Sequence, residues 1–284
     1  MGFAAKVWAM AALLALLSSV LWGSADFDAG RLSKKHKPLV VLAVTQIFGL
    51  ITGIILVLIS REWTFSSSYL APGALAGLCG YAGLICLYQG LSTGRMGVVS
   101  PISSLSVLLP LSIAFIGGEE VSTIGKYGIA LAVVGGFLAS GPELSSGVTA
   151  RPVFLGLGAA LGFGGALTFM AHGSETSALL TMTTMRATTL VISLGYLFKT
   201  QSLDGLNSSH LPRLVAIGVA DFAANLLLGV ATTKGLVSLA MVLGSLYPIV
   251  TALLAFRFLH ERLHKVQYVG IVLAVAGVAV ISAL

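Results

Sequence analysis

Arg186 and Asp221 are ionisable residues set deep inside apolar runs of this 284-residue sequence, at 177–198 and 211–233. A charge in such a setting is costly, so it is kept for an ion pair, a proton or a charged ligand. Counted from the loop between the two runs, Arg186 lies about 18 Å and Asp221 about 15 Å along a helix, depths at which adjacent antiparallel helices would pair them. Asn225 follows Asp221 by one helical turn and shares its face. The three residues define a polar centre with two readings. One is an ion pair that only fixes helix packing. The other is a substrate site in which Arg186 or Asp221 meets a charged group of the ligand, or Asp221 carries a proton. A zwitterion suits Asp221 with Arg186 better than a pure cation does.

A second group of candidates is aromatic or hydroxylic. Trp22 closes the first apolar run, Tyr81 and Tyr88 share a helix face in the third, and Tyr247 lies in the ninth. Each could line a substrate cavity or anchor a helix at the membrane interface, and the interfacial role fits Trp22 and Tyr88 best. Ser245 joins the list with Ser104, although serine in apolar helices commonly bonds to a neighbouring helix. His172 stands near Glu175 at the end of the sixth run, where a histidine is ordinarily solvated. No metal-ligand spacing, paired nucleophile and base, or phosphate loop is present; Gly162-Phe163-Gly164-Gly165 lies in an apolar run without the Lys-Ser/Thr that would cradle phosphate. We therefore expect no enzyme, cofactor or resident metal.

Ten apolar runs must position these residues, near 4–22, 38–59, 69–91, 97–116, 124–141, 152–171, 177–198, 211–233, 237–257 and 265–283. Each is about long enough to cross a hydrocarbon core as a helix. The composition demands lipid, because 57% of the residues are hydrophobic and only 9% charged, too few to coat a soluble particle of this size. The runs are continuous and not alternating, which excludes a transmembrane barrel. Lys and Arg are scattered between the runs and not gathered on one face, so no nucleic-acid partner is expected. Cys79 and Cys86 are seven residues apart, roughly 10 Å along a helix and too far to bridge. Glycines at 73, 77, 80 and 83, and at 158, 162 and 165, allow close helix approach. Glu119, Glu120 and Glu261 fall at loop ends, where capping or a pair with Arg262 is expected.

Sliding the chain by 141 residues aligns the third and fourth runs with the eighth and ninth without a gap. Gly77 meets Gly218, Gly94 meets Gly235, and Ser104-Leu105 meets Ser245-Leu246. After one further residue of shift, Gly128 and Gly135 meet Gly270 and Gly277. The sequence thus predicts two repeats of five helices, at 1–141 and 152–284. Five is odd, so the second repeat must enter the membrane from the opposite side. Inverted repeats place a site near the midplane and expose it to each side in turn. The fold expected is an all-α integral membrane protein of ten transmembrane helices in two inverted halves. Orientation stays open, since Arg31, Lys34, Lys35 and Lys37 would hold the first loop in the cytoplasm.

Trp22-Gly23-Ser24, Gly94, Ser245-Leu246-Tyr247-Pro248, and Leu259-His260-Glu261-Arg262 followed by Gln267 and Gly270 resemble the EamA-type drug/metabolite transporters over essentially the whole chain. The first half departs from the pattern at Ser106-Val107, which stands where the second half has Tyr247-Pro248, with its proline displaced to Pro110. The resemblance implies a ten-helix secondary carrier with a central cavity and cytoplasmic termini, placed in a bacterial inner membrane. It implies a small-molecule substrate, an amino acid or related metabolite that is exported, with proton coupling possible. Export of cationic drugs and a passive channel are the alternatives.

Overall fold

The computed structural model describes residues 3–92, 96–141, 150–201, 203–259 and 264–283, without the side chains of 3–6, 88, 91–92, 96–97, 100 and 200. Gly94, Glu261, Arg262 and the side chain of Tyr88 lie outside the described residues. The fold is all helical: α1 (Phe3–Ser33), α2 (Pro38–Ser60), α3 (Ser67–Ser92), α4 (Met96–Ser104), α5 (Leu108–Ile116), α6 (Thr123–Ala139), α7 (Ala150–Thr200), α8 (Leu211–Lys234), α9 (Val237–Gly244), α10 (Tyr247–Leu259) and α11 (Lys265–Ser282). Seven stretches among the described residues are long and apolar enough to cross a membrane, and 101–116 and 123–139 are shorter apolar helices. The longest, α7, is two helices run together at Ser177, whose φ of −159° and ψ of 115° are not helical. Large apolar side chains such as Leu13, Leu17, Ile54, Leu58, Val272 and Val275 stand exposed on the outside, the surface that lipid covers.

Three expected helices differ from their sequence reading. The first continues to Ser33 and does not stop at 22, so Asp26 lies within it. The ninth, expected as one helix over 237–257, breaks at Ser245-Leu246 into α9 and α10, and the fourth breaks at Leu105–Val107 into α4 and α5. Proline explains both breaks, because its ring crowds the carbonyl four residues earlier and it offers no amide proton. That carbonyl belongs to Gly244 for Pro248 and to Ser106 for Pro110. Ser104 and Ser245 play the same part at the two breaks: each hydroxyl donates to the carbonyl three residues back, of Pro101 at 2.7 Å and of Val242 at 2.8 Å.

The halves are related by an approximate two-fold, which is legible in glycine contacts. A Cβ on Gly135 would meet the carbonyl oxygen of Gly270 at 2.7 Å, and one on Gly270 would meet that of Gly135 at 2.7 Å. A Cβ on Gly277 would likewise meet the Gly128 oxygen at 2.7 Å. Gly128 and Gly135 are the repeat mates of Gly270 and Gly277, so exchanging each residue for its mate turns the Gly135–Gly270 contact into the Gly277–Gly128 contact, as a two-fold requires. These glycines let the backbones of α6 and α11 touch, a mode of packing that needs no hydrophobic driving force in lipid. Elsewhere α3 packs on both parts of α7, and α1 packs on α8. Gly83 and Gly162 meet where α3 crosses the first part of α7. Cys79 and Cys86 are free.

Candidate functional site

At the centre, α7 and α8 present their charges to each other. The Arg186 guanidinium pairs with Asp221 through Nη2 and Oδ2 at 2.8 Å. Its Nη1 donates to Gln46 Oε1 on α2 at 2.9 Å, and Thr189 Oγ1 donates to the same oxygen at 2.8 Å. Asp221 Oδ1 accepts from the Trp22 indole on α1 at 3.0 Å and from Asn225 Nδ2 at 3.3 Å; Asn225 Nδ2 also donates to the Asp221 carbonyl at 2.7 Å. Charge-assisted bonds of this kind are what a polar group in a lipid-surrounded core requires. Arg186 Nε is the buried exception, with no partner. Space for the guanidinium comes from glycine, since a Cβ on Gly49 would lie 3.4 Å from Arg186 Cδ and 3.4 Å from the Gly218 oxygen.

The centre sits on the approximate two-fold. Gly77 packs on Met185 and Thr188 of α7, and its mate Gly218 packs on Thr45 and Phe48 of α2. Met185 and Thr188 stand 140 residues after Thr45 and Phe48, so Arg186 holds in the second half the place that Gln46 holds in the first. Gln46 and Arg186 are therefore mates that touch each other. The mate of Asp221 is Gly80, and the charge pair has no counterpart across the axis.

Tyr247 reaches the centre through Trp22, with ring centroids 5.9 Å apart and an edge-on interplanar angle of 71°. Thr251 on α10 donates to the Gly23 carbonyl at 3.1 Å, which fixes α10 against α1 at this level. Arg186, Asp221, Asn225, Trp22 and Tyr247 are thus brought together. Ser245 is occupied at the helix break, and Tyr81 is buried on α3 with no hydrogen bond to the cluster among the described residues. His172 and Glu175 are exposed at the end of the first part of α7, 3.8 Å apart and away from the centre.

Three members of the site escape the sequence reading: Gln46, Thr189 and Asp26. Asp26 is one helical turn beyond Trp22, on the face of α1 whose indole reaches Asp221 and whose ring meets Tyr247. Its side chain is exposed, and no hydrogen bond or ion pair reaches it among the described residues. Along this face of α1, Ser18 and Ser19 are buried, Trp22 is partly buried, and Asp26 and Gly30 are open. The face opens progressively toward the end of α1, so Asp26 lines a vestibule. At the opposite face the two halves are tied together. Glu119, after α5, accepts from the amides of Val237 at 2.9 Å and Ser238 at 3.0 Å, and from the Ser238 hydroxyl, and so caps α9. Trp8 packs on Gly235 beside this cap.

Comparison with known proteins agrees with this architecture. No curated protein matches the chain. A solved structure titled "Crystal structure of protein" matches with a TM-score of 0.73 over 95% of each chain at 18% identity, a likeness of fold. The model of the EamA-like transporter family matches twice, at residues 9–141 and 150–283. This two-repeat, multi-pass membrane protein belongs to the EamA-like transporter family of the drug/metabolite superfamily.

Proposed function

We propose that the protein is a secondary carrier that exports a small polar organic solute, an amino acid or related metabolite, by alternating access. Its two inverted halves, 1–141 and 152–284, would cross the membrane ten times, with the two parts of α7 counted separately and each broken pair counted once. The observation that carries this reading is the Arg186–Asp221–Trp22 centre on the two-fold, exposed along α1 at Asp26, with the halves tied to each other at Glu119 on the opposite face. Rocking the halves about such a centre exposes it to one side and then the other. Broken helices beside it supply the hinge positions that rocking needs.

If protons drive the cycle, His172 is not their carrier at the centre, because it lies outside it. The bacterial inner membrane suits export of a metabolite. Reconstitution into liposomes with a panel of amino acids, with and without a pH gradient, tests the reading. Saturable flux and acceleration by substrate on the far side are expected; non-saturable flux without countertransport would make the protein a channel.

A further inference from the structure

Resting on the carrier reading, the charges around the vestibule narrow its cargo. Arg186 is the positive group of the centre, yet its side chain is only 5% exposed and is bound to Asp221 and Gln46. Its unpartnered Nε is buried, so it offers no exposed face to an incoming carboxylate. Its counter-ion Asp221 is 29% exposed, and its charge is already matched. Asp26 faces the vestibule without a partner. The cations at the mouth do not reach it: Arg31 and Arg213 are drawn to Asp28, at 3.8 and 3.7 Å, and Arg31 and Arg257 lie over Phe27 and Phe258. Trp22, one turn earlier on the same helix, leads from Asp26 to Asp221 through its indole and to Tyr247 through its ring, and none of these three carries positive charge.

We propose that Asp26 is the specificity-determining residue of the carrier, receiving a cationic amine of the cargo beside the Trp22 and Tyr247 ring pair. A carboxylate inside a membrane helix is retained where a positive group meets it. The two rings add faces that attract an ammonium. The preferred cargo is then a net-cationic amine, such as a decarboxylated or amidated amino acid, ahead of the free zwitterion, whose carboxylate would find no exposed cation.

The test uses full-length protein in which Trp8 and Trp63 are replaced by Phe, so that Trp22 alone reports binding by its emission. The probes are agmatine, L-leucine and succinate. Agmatine should shift the emission saturably, L-leucine about ten-fold more weakly, and succinate not at all, the ratio expected for one charge-assisted contact. Asp26→Asn should raise the agmatine Kd about ten-fold or more, with Asp26→Glu recovering part of it. Thermal unfolding of each variant verifies folding, and if Asp26→Asn does not fold, the probe ranking in the parent decides. Agmatine binding that is absent, no tighter than that of L-leucine, or unchanged in Asp26→Asn overturns the assignment. Flux of the bound probe into liposomes is measured separately: saturable binding without flux overturns the carrier reading and leaves Asp26 as a cation site.

Discussion

Asp221 satisfies three partners at once, the Arg186 guanidinium, the Trp22 indole and the Asn225 amide. Removing its charge leaves Arg186 buried and unmatched. Asp221→Asn should therefore destabilise the protein by about 3 kcal/mol in thermal unfolding, at the lower end for a broken buried pair because Asp221 is partly open. Combining it with Arg186→Met should restore most of that loss, since removing both charges together is often near neutral. Transport should stay impaired in both variants. A double variant that remains as unstable as the single one would show that Arg186 contributes through Gln46 and not through Asp221. The Arg186–Asp221 pairing is readable in sequence because both residues interrupt apolar runs at similar depth. Asp26 is not, because the apolar run ends at Trp22 and the polar residues after it read as a loop.

At the scale of elements, close helix approach and end capping set which pieces are fixed and which can move. A side chain at Gly135 would strike the backbone of Ala274 and the carbonyl of Gly270, atoms that cannot step aside. Gly135→Ala should cost about 2 kcal/mol of stability. Gly80→Ala, whose nearest neighbour would be the Ala166 Cβ at 3.5 Å, should be almost neutral in the same unfolding assay. Glu119 acts on a movable piece, since it ties the first half to the start of α9 in the second. With Cys79 and Cys86 replaced by Ala, a Ser19→Cys side chain should react slowly with a thiol reagent supplied at the Glu119 face. Adding Glu119→Ala should speed that labelling about five-fold, the population shift that losing a helix cap permits. An unchanged rate would mean that Trp8 packed on Gly235 closes this face without the carboxylate. Capping at Glu119 is foreseeable from its loop position, whereas its partner in the opposite half is not. The breaks at Ser104 and Ser245 are hidden in sequence by unbroken apolarity, although Pro110 and Pro248 mark them.

For the whole molecule, the proposed alternating cycle would have as one of its states the approximate two-fold with the face at the end of α1 open. In that state Asp26→Cys, again without Cys79 and Cys86, should be labelled by a membrane-impermeant maleimide from the face where α1 ends and α2 begins. Labelling in sealed vesicles of known orientation checks it, and equal labelling from both faces would show a continuous pore. The repeat that underlies this symmetry is visible in sequence as an ungapped register of Gly, Leu and Ala. Register reveals that two halves exist, but the contacts across them, Gly135 with Gly270 and Gln46 with Arg186, appear only when the halves are docked.

By itself the sequence determined the solvent, the helical class, the duplication and the central charge pair, because hydropathy, periodicity and rare buried charges are local properties of the chain. Tertiary structure alone decided which charges are spent and which are free. Arg186 looks available for a ligand until Gln46 and Asp221 are placed around it, and Asp26 looks like a loop residue until α1 is seen to carry it past Trp22 into the vestibule. Electrostatic roles depend on distance and burial between segments far apart in the chain, and those quantities exist only in the folded molecule.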